Sequence, residues 1–157
     1  MIPEVIASFL GKSGDTIVFE VERGAIKRFA DSVGDYNPLY WDDEFARQSG
    51  YGAIIAPPGF FGWPTKWTGM PVFVPIQVEL QAAMAKAGFG RLLAGGIEYD
   101  FLRPVRSGDT LAALPKVISI VEKESKGGAM FIATIETTYT NQEGFVAAKA
   151  RNSMIAR

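Results

Sequence analysis

Polar and apolar positions alternate over residues 16–22, with Ile17, Phe19 and Val21 on one face. That two-residue period predicts a half-buried strand. The period then lengthens. From Gly24 onward Ile26, Phe29, Ala30 and Val33 recur at i, i+3, i+4 and i+7, the apolar stripe of a helix that Gly34 is placed to end. Asp35-Tyr36-Asn37-Pro38 is turn chemistry. Asp42 or Asp43 can cap a short helix through Glu44, Phe45 and Ala46, closed by Gly50-Tyr51-Gly52. Ala53-Ile54-Ile55-Ala56 then approaches Pro57-Pro58. Prolines suit a first helical turn, so a buried helix is expected from there towards Trp67, kinked or ended by Pro64. Residues 70–75 read as loop. Residues 79–87 read as helix, with Leu80, Ala83, Met84 and Ala87 on one face. Two readings of that helix stay open, a lid above a pocket or ordinary core packing.

Gly88, Gly90, Gly95 and Gly96 punctuate the stretch after that helix, and the last third of the chain is β-rich. A strand is expected over 97–101, interrupted by Arg103-Pro104, and a long one over 110–124. Gly127-Gly128 turns the chain into a strand over 131–139, and Asn141-Gln142-Glu143-Gly144 turns it into another over 145–155. Strands joined by hairpins form an antiparallel sheet. One strand, then helices, then a run of strands predicts an α+β fold with a helix packed on that sheet. The 157 residues suffice for one domain, 1–157, burying on the order of 70% of the unfolded surface.

Composition narrows the chemistry. The chain has no cysteine, which excludes disulfides, thiolate catalysis and cysteine-held metals. It has no histidine either, which removes the side chain that titrates nearest neutrality and with it serine–histidine–aspartate catalysis and most zinc sites. Acid–base work is left to carboxylates, tyrosine, lysine or a group from a partner chain. No metal or cofactor is expected. A net charge of −1 favours neither nucleic acid nor an anionic membrane. With no secretory pattern at Met1-Ile2-Pro3-Glu4 and no apolar run of about 18 residues, the cytoplasm is the expected location.

The densest candidate chemistry lies between Phe29 and Phe61. Gly34-Asp35-Tyr36-Asn37-Pro38-Leu39-Tyr40-Trp41-Asp42 resembles the Gly-Asp-x-Asn-Pro-x-His-x-Asp motif of MaoC-like enoyl-CoA hydratases. Phe101-Leu102-Arg103-Pro104-Val105 with Gly108-Asp109 resembles that family's later Phe-x-x-Pro-Val…Gly-Asp element. The resemblance spans essentially the whole chain. It is strongest to the FAS1-like dehydratase-domain subgroup that carries Asn-Pro-Leu-Tyr and Ala-Pro-Pro. The resemblance implies a hot-dog fold, an antiparallel sheet wrapped round a central helix, with a helical overhang and pairing into dimers. It also implies reversible addition of water across an α,β-unsaturated acyl thioester, carried on coenzyme A or acyl carrier protein. In the family an aspartate and a histidine handle the water, and an amide at the central helix's N-terminus holds the thioester oxygen.

Carried over residue by residue, the aspartate falls on Asp35 and the asparagine and proline on Asn37 and Pro38. The histidine falls on Tyr40, a phenol with an ordinary pKa about 10 and so a donor rather than a base at neutral pH. The oxyanion glycine falls on Pro58, which has no amide hydrogen, leaving Gly59 or Phe60 as substitutes if the helix is shifted. Arg103 and Arg106 suit the phosphates of coenzyme A or a phosphopantetheine arm, or belong to a solvated loop. Phe60, Phe61, Trp63 and Trp67 suit core, dimer interface or acyl tunnel. Lys123 and Lys126 suit solvent-facing hairpin charges. The expected function is a helper subunit of a (3R)-hydroxyacyl-thioester dehydratase, forming a homodimer or a heterodimer with a histidine-containing MaoC-like subunit. The alternatives are a self-sufficient hydratase using Asp35 and Tyr40, an acyl-CoA-binding protein without chemistry, and a hot-dog thioesterase.

Overall fold

The computed structural model describes residues 2–60, 74–125 and 127–157. Among these residues five strands form one antiparallel sheet: β1 (Ile17–Glu20), β2 (Leu92–Phe101), β3 (Thr110–Ser125), β4 (Gly128–Asn141) and β5 (Val146–Ala156), in the order β1-β3-β4-β5-β2. The helices are α1 (Glu4–Ala7), α2 (Arg23–Ser32), α3 (Asp43–Gln48) and α4 (Pro75–Lys86). This is the expected α+β arrangement. Among the described residues no helix is long and apolar enough to cross a membrane.

Local chemistry sets the long hairpins. The Asn141 side chain accepts the amides of Glu143 and Phe145, and Gly144 takes a φ of 82°, so the β4–β5 turn closes tightly. Pro115 is tolerated inside β3 because β1 pairs only as far as Ala113, and the Pro115 carbonyl still accepts the Gly14 amide at 2.9 Å. β2 begins five residues earlier than the sequence pattern indicates. Gly95 and Gly96 do not end an element. They form a bulge where the register against β5 shifts. A Cβ on Gly95 would stand 2.9 Å from the Ser153 carbonyl oxygen, so the two backbones can approach only at glycine.

The buried side chains among the described residues form two clusters. Towards one end Val21, Ile26, Ala30, Tyr40, Ile54 and Phe60 pack with Leu111, Ala113, Tyr139 and Ala148. Towards the other, Ile76, Leu80 and Met84 of α4 pack with Ile6 of α1 and with Val117, Phe131, Ala133 and Met154. The stripe predicted over 79–87 is therefore core packing, and its helix starts at Pro75, where a proline at the first position costs no helical hydrogen bond. Residue 75 thus belongs to the helix rather than to the expected loop. Val33 drops out of the predicted stripe of α2, because it is the exposed C-cap. The helix expected towards Trp67, its kink at Pro64, the loop over 70–73, Phe61, Trp63 and Lys126 lie outside the described residues.

Candidate functional site

The site is built from two segments stitched together beside α2. Gly34 takes a φ of 69° after the helix, and the Asp35 amide then donates back to the Ala30 carbonyl at 2.9 Å. One Asp35 carboxylate oxygen accepts the Asn37 amide at 3.1 Å. The Asn37 side chain in turn accepts the Leu39 amide at 3.0 Å and caps a single 3-10 turn, Pro38–Tyr40. Asn37-Pro38 is thus the scaffold of the turn, and that turn sends Tyr40 inward. The Trp41 indole N–H donates to the Asp35 carbonyl at 3.0 Å, and Tyr36 stacks on the Trp41 ring at a centroid distance of 5.9 Å. Asp42 rather than Asp43 then caps α3, accepting the amides of Glu44 and Phe45.

Tyr40 is 8% exposed, whereas Asp35 is half-buried. Burial raises the Tyr40 pKa above its ordinary value of 10, and the charge of Asp35 and the neighbouring Tyr51 raise it further. At neutral pH the phenol is protonated and donates. Asp35 has a second carboxylate oxygen with no hydrogen-bond partner among the described residues. Acceptor and donor therefore stand as neighbours on one turn.

Residues 51–56 form the second segment. The Ile55 amide donates to the Leu39 carbonyl at 3.1 Å, which ties this segment to the first. On its other side Ala56 donates to Val105 at 2.7 Å, and Ser107 donates to Ile54 at 2.9 Å. Arg106 fixes the upstream end, its Nε donating to the Tyr51 carbonyl at 2.5 Å. Asp109 holds that bend closed: its oxygens accept the Arg106 amide at 2.8 Å and the Gln142 side-chain amide at 2.9 Å. The Pro-Val…Gly-Asp element is thus a clamp on the segment leading to Pro57.

Beyond Pro57 the chain turns. Pro58 is exposed, and the Phe60 amide is taken by the Pro57 carbonyl at 3.1 Å. The Phe60 ring is buried against Phe29 at 5.9 Å, so it serves the core. Gly59, with a φ of 88°, keeps an amide that has no partner among the described residues. Of the two substitutes for the missing Pro58 amide, Gly59 is the one without a partner among the described residues. Sequence spacing does not separate them, because the choice depends on how the turn closes.

Arg103 is exposed and lies over the Phe145 ring, 4.1 Å from its centroid. Arg106 is committed to Tyr51. Both arginines thus have structural roles without a phosphate. The neighbour that sequence reasoning misses is Tyr51, which reads only as part of a helix stop between two glycines. Tyr99 and Tyr139 carry no motif either. They flank β5 on either side, opposite Ala150 and Ala148, and burial raises both phenols.

Comparison with known proteins fits this geometry. A family model described as the FAS1-like, dehydratase domain region matches residues 8–150. A UPF0336 protein of Streptomyces avermitilis is 39% identical over 115 residues, 72% of this chain and 71% of its own. A probable enoyl-CoA hydratase alpha subunit of Thermomonospora curvata is 31% identical over 133 residues, 80% of this chain but 41% of its own. Among solved structures, the ChsH1-ChsH2 complex of Mycobacterium tuberculosis superposes with a TM-score of 0.81 at 19% identity, covering 97% of this chain and 93% of that one. The chain belongs to the FAS1-like dehydratase-domain family of MaoC-like, hot-dog-fold hydratases and dehydratases.

Proposed function

We propose that this chain is the helper subunit of a (3R)-hydroxyacyl-thioester dehydratase, completing the acyl site of a histidine-containing MaoC-like partner. The observation that carries this reading is Tyr40. It stands where the family places its histidine, is buried, and has a pKa raised above that of free tyrosine. A group so held donates a proton or hydrogen bond but does not take a proton from water near neutrality. Asp35 is then the carboxylate acceptor beside it, and one of its oxygens is occupied by Asn37. The edge strand β2 suits the joining of a partner, since Leu92, Leu93, Ile97 and Phe101 are all exposed along it. The acyl carrier is coenzyme A or acyl carrier protein.

One observation favours the rival reading, a self-sufficient hydratase with Asp35 as base and Tyr40 as acid. The Gly59 amide has no partner among the described residues and can take the oxyanion role that Pro58 cannot. Crotonyl-CoA hydration by the purified chain separates the two. The helper role predicts no turnover alone and turnover on mixing with a histidine-containing subunit. Robust turnover by the chain alone, abolished by Asp35→Asn, overturns it in favour of the rival.

A further inference from the structure

Helix α4 carries a buried polar side chain, Gln77, which is 9% exposed and makes no side-chain hydrogen bond among the described residues. No fully enclosed side-chain nitrogen or oxygen among those residues lacks a partner, so the Gln77 amide head opens on to accessible space. The packing of α4 fixes which way it faces. On one flank Glu79 accepts from Lys12, and on the other Gln81 donates to the Met154 sulfur at 3.9 Å. Gln77 stands four residues before Gln81, on the same flank. The helix runs from Ile76, beside Pro115 at Gly14, towards Phe89, which packs on Phe131. Along β5 that is the direction from Ala150 to Ala156. One helical turn is about 5.4 Å and two strand residues about 6.6 Å, so Gln77 comes level with Asn152, two before Met154. Asn152 faces the same side of the sheet as the buried Ile135 opposite it, and its amide also has no side-chain partner among the described residues. Ile97 of β2, on its other side, is 41% exposed, so the strip over β2 stays open beside α4. Tyr99 continues that strip to the Tyr40 cluster, its hydroxyl likewise unpartnered among the described residues.

We propose that Tyr99, Asn152 and Gln77 line the distal part of the acyl path and select acyl groups that carry a hydroxyl or carbonyl oxygen remote from the thioester. The proposal rests on the acyl site of the proposed function and names its substrate class. A plain alkyl chain laid along the strip displaces water from these polar groups and offers them nothing in return, which weakens its binding by about five- to a hundredfold for each group stranded. A chain oxygen restores the lost bond, and because amides both donate and accept, a hydroxyl or a carbonyl will serve. Ala148, in the Tyr40 cluster, and Asn152 lie four residues apart on β5, about 13 Å at strand rise, so the oxygen selected is far from the reacting carbons.

The test is calorimetric titration of the full chain with decanoyl-CoA and 10-hydroxydecanoyl-CoA. The hydroxylated chain is expected to bind about tenfold or more tightly, against its greater affinity for water. Gln77→Leu and Asn152→Leu should each reduce that preference by about tenfold and strengthen decanoyl-CoA. The unliganded melting midpoint of Gln77→Leu should equal or exceed that of the wild type, since its amide holds nothing in the fold. Equal or tighter binding of decanoyl-CoA, no saturable binding of either thioester, or a preference unchanged in both variants overturns the assignment. So does a Gln77→Leu midpoint lowered by more than about 4 °C, because the amide would then serve the fold. Crotonyl is too short to reach Asn152, so the crotonyl-CoA assay tests the dehydratase role without this strip. Loss of that role with the hydroxydecanoyl preference intact leaves the selection standing.

Discussion

Replacing Asp109 by asparagine keeps the shape of the side chain, yet it is expected to cost nearly as much stability as removing the carboxylate. Both Asp109 oxygens face donors, the Arg106 amide at 2.8 Å and the Gln142 Nε2 at 2.9 Å. An asparagine has one acceptor oxygen, so its NH₂ must confront one of those donors. Gln142 cannot turn its amide to help, because its Oε1 already accepts the Thr110 amide at 2.9 Å. Hydrogen bonds to charged groups contribute about 1.5–3 kcal/mol each. The Arg106 contact is half-buried and the Gln142 contact is exposed, which places the pair near the lower end of that range. The expected loss is about 2 kcal/mol for Asp109→Asn and about 3 kcal/mol for Asp109→Ala. At this chain length 2 kcal/mol is a melting shift of about 4–8 °C. Urea titration gives the free energies. Adding Gln142→Glu to Asp109→Asn should recover about half the loss, because the new carboxylate accepts from both the asparagine NH₂ and the Thr110 amide. If Asp109→Asn alone lies within about 0.5 kcal/mol of wild type, or the second change brings no recovery, the two-donor account is wrong.

Two further outcomes rest on packing and burial. Gly95→Ala drives a Cβ to 2.9 Å from the Ser153 carbonyl oxygen and 3.2 Å from its Cβ. Overpacking of about 1–3 kcal/mol, less roughly 0.5 kcal/mol gained by restricting the unfolded chain, leaves a net loss of about 1–2 kcal/mol. A urea midpoint equal to wild type would contradict the close approach at the bulge. The second outcome concerns alkaline pH. Burial holds the phenols of Tyr40, Tyr99 and Tyr139 above their ordinary pKa, Tyr139 most strongly. An acid whose folded pKa is raised stabilises the fold fully below its unfolded pKa, about 10 for tyrosine, and loses that contribution as pH climbs through the folded value. Stability should therefore fall steadily above pH about 10. Tyr139→Phe should flatten the fall, as followed by urea midpoints beside tyrosinate absorbance. A wild-type curve that stays level to pH about 12 would refute the assignment.

Local signals predict local elements well. The Asn141–Gly144 turn, the Asp42 cap and the stripe of α2 each depend on residues within a few positions of one another, so their chemistry is written contiguously. The first half of β2 is not legible in the sequence, because Gly95 and Gly96 look like punctuation until the Ser153 backbone lies across them. The stripe on α4 is legible but its surroundings are not. Leu80 and Met84 fit a lid as well as a core until Phe131 and Met154 are set opposite. The same holds within the site. Arg106 resembles a phosphate ligand in sequence, and only the approach of Tyr51 shows that its Nε is taken. Nothing local distinguishes the amide of Gly59 from that of Phe60, since the Pro57 carbonyl makes the choice.

The exchange of histidine for Tyr40 bears on which half of the chemistry this chain keeps. Water addition to an enoyl thioester needs an acceptor for the proton of water, a donor for the α-carbon, and a dipole at the thioester oxygen. Asp35, Tyr40 and the Gly59 amide match those three types in name. Their states do not match a working cycle equally well. Histidine near neutrality can pass a proton in either direction, whereas a buried phenol with a raised pKa gives one up with difficulty and regains it at once. Beside the Asp35 charge, the tyrosinate left after donation would face both burial and repulsion, the same two causes that raise its pKa. Tyr40 is therefore better suited to holding a water or a thioester by hydrogen bond than to cycling protons. On the proposed assignment, Tyr40→Phe should weaken binding of an acyl thioester while leaving the turnover number of the assembled pair within about threefold of wild type, since no proton passes through the phenol. Turnover lost by about a hundredfold or more, the typical effect of removing a general acid or base, would assign the proton to Tyr40 and the chemistry to this chain.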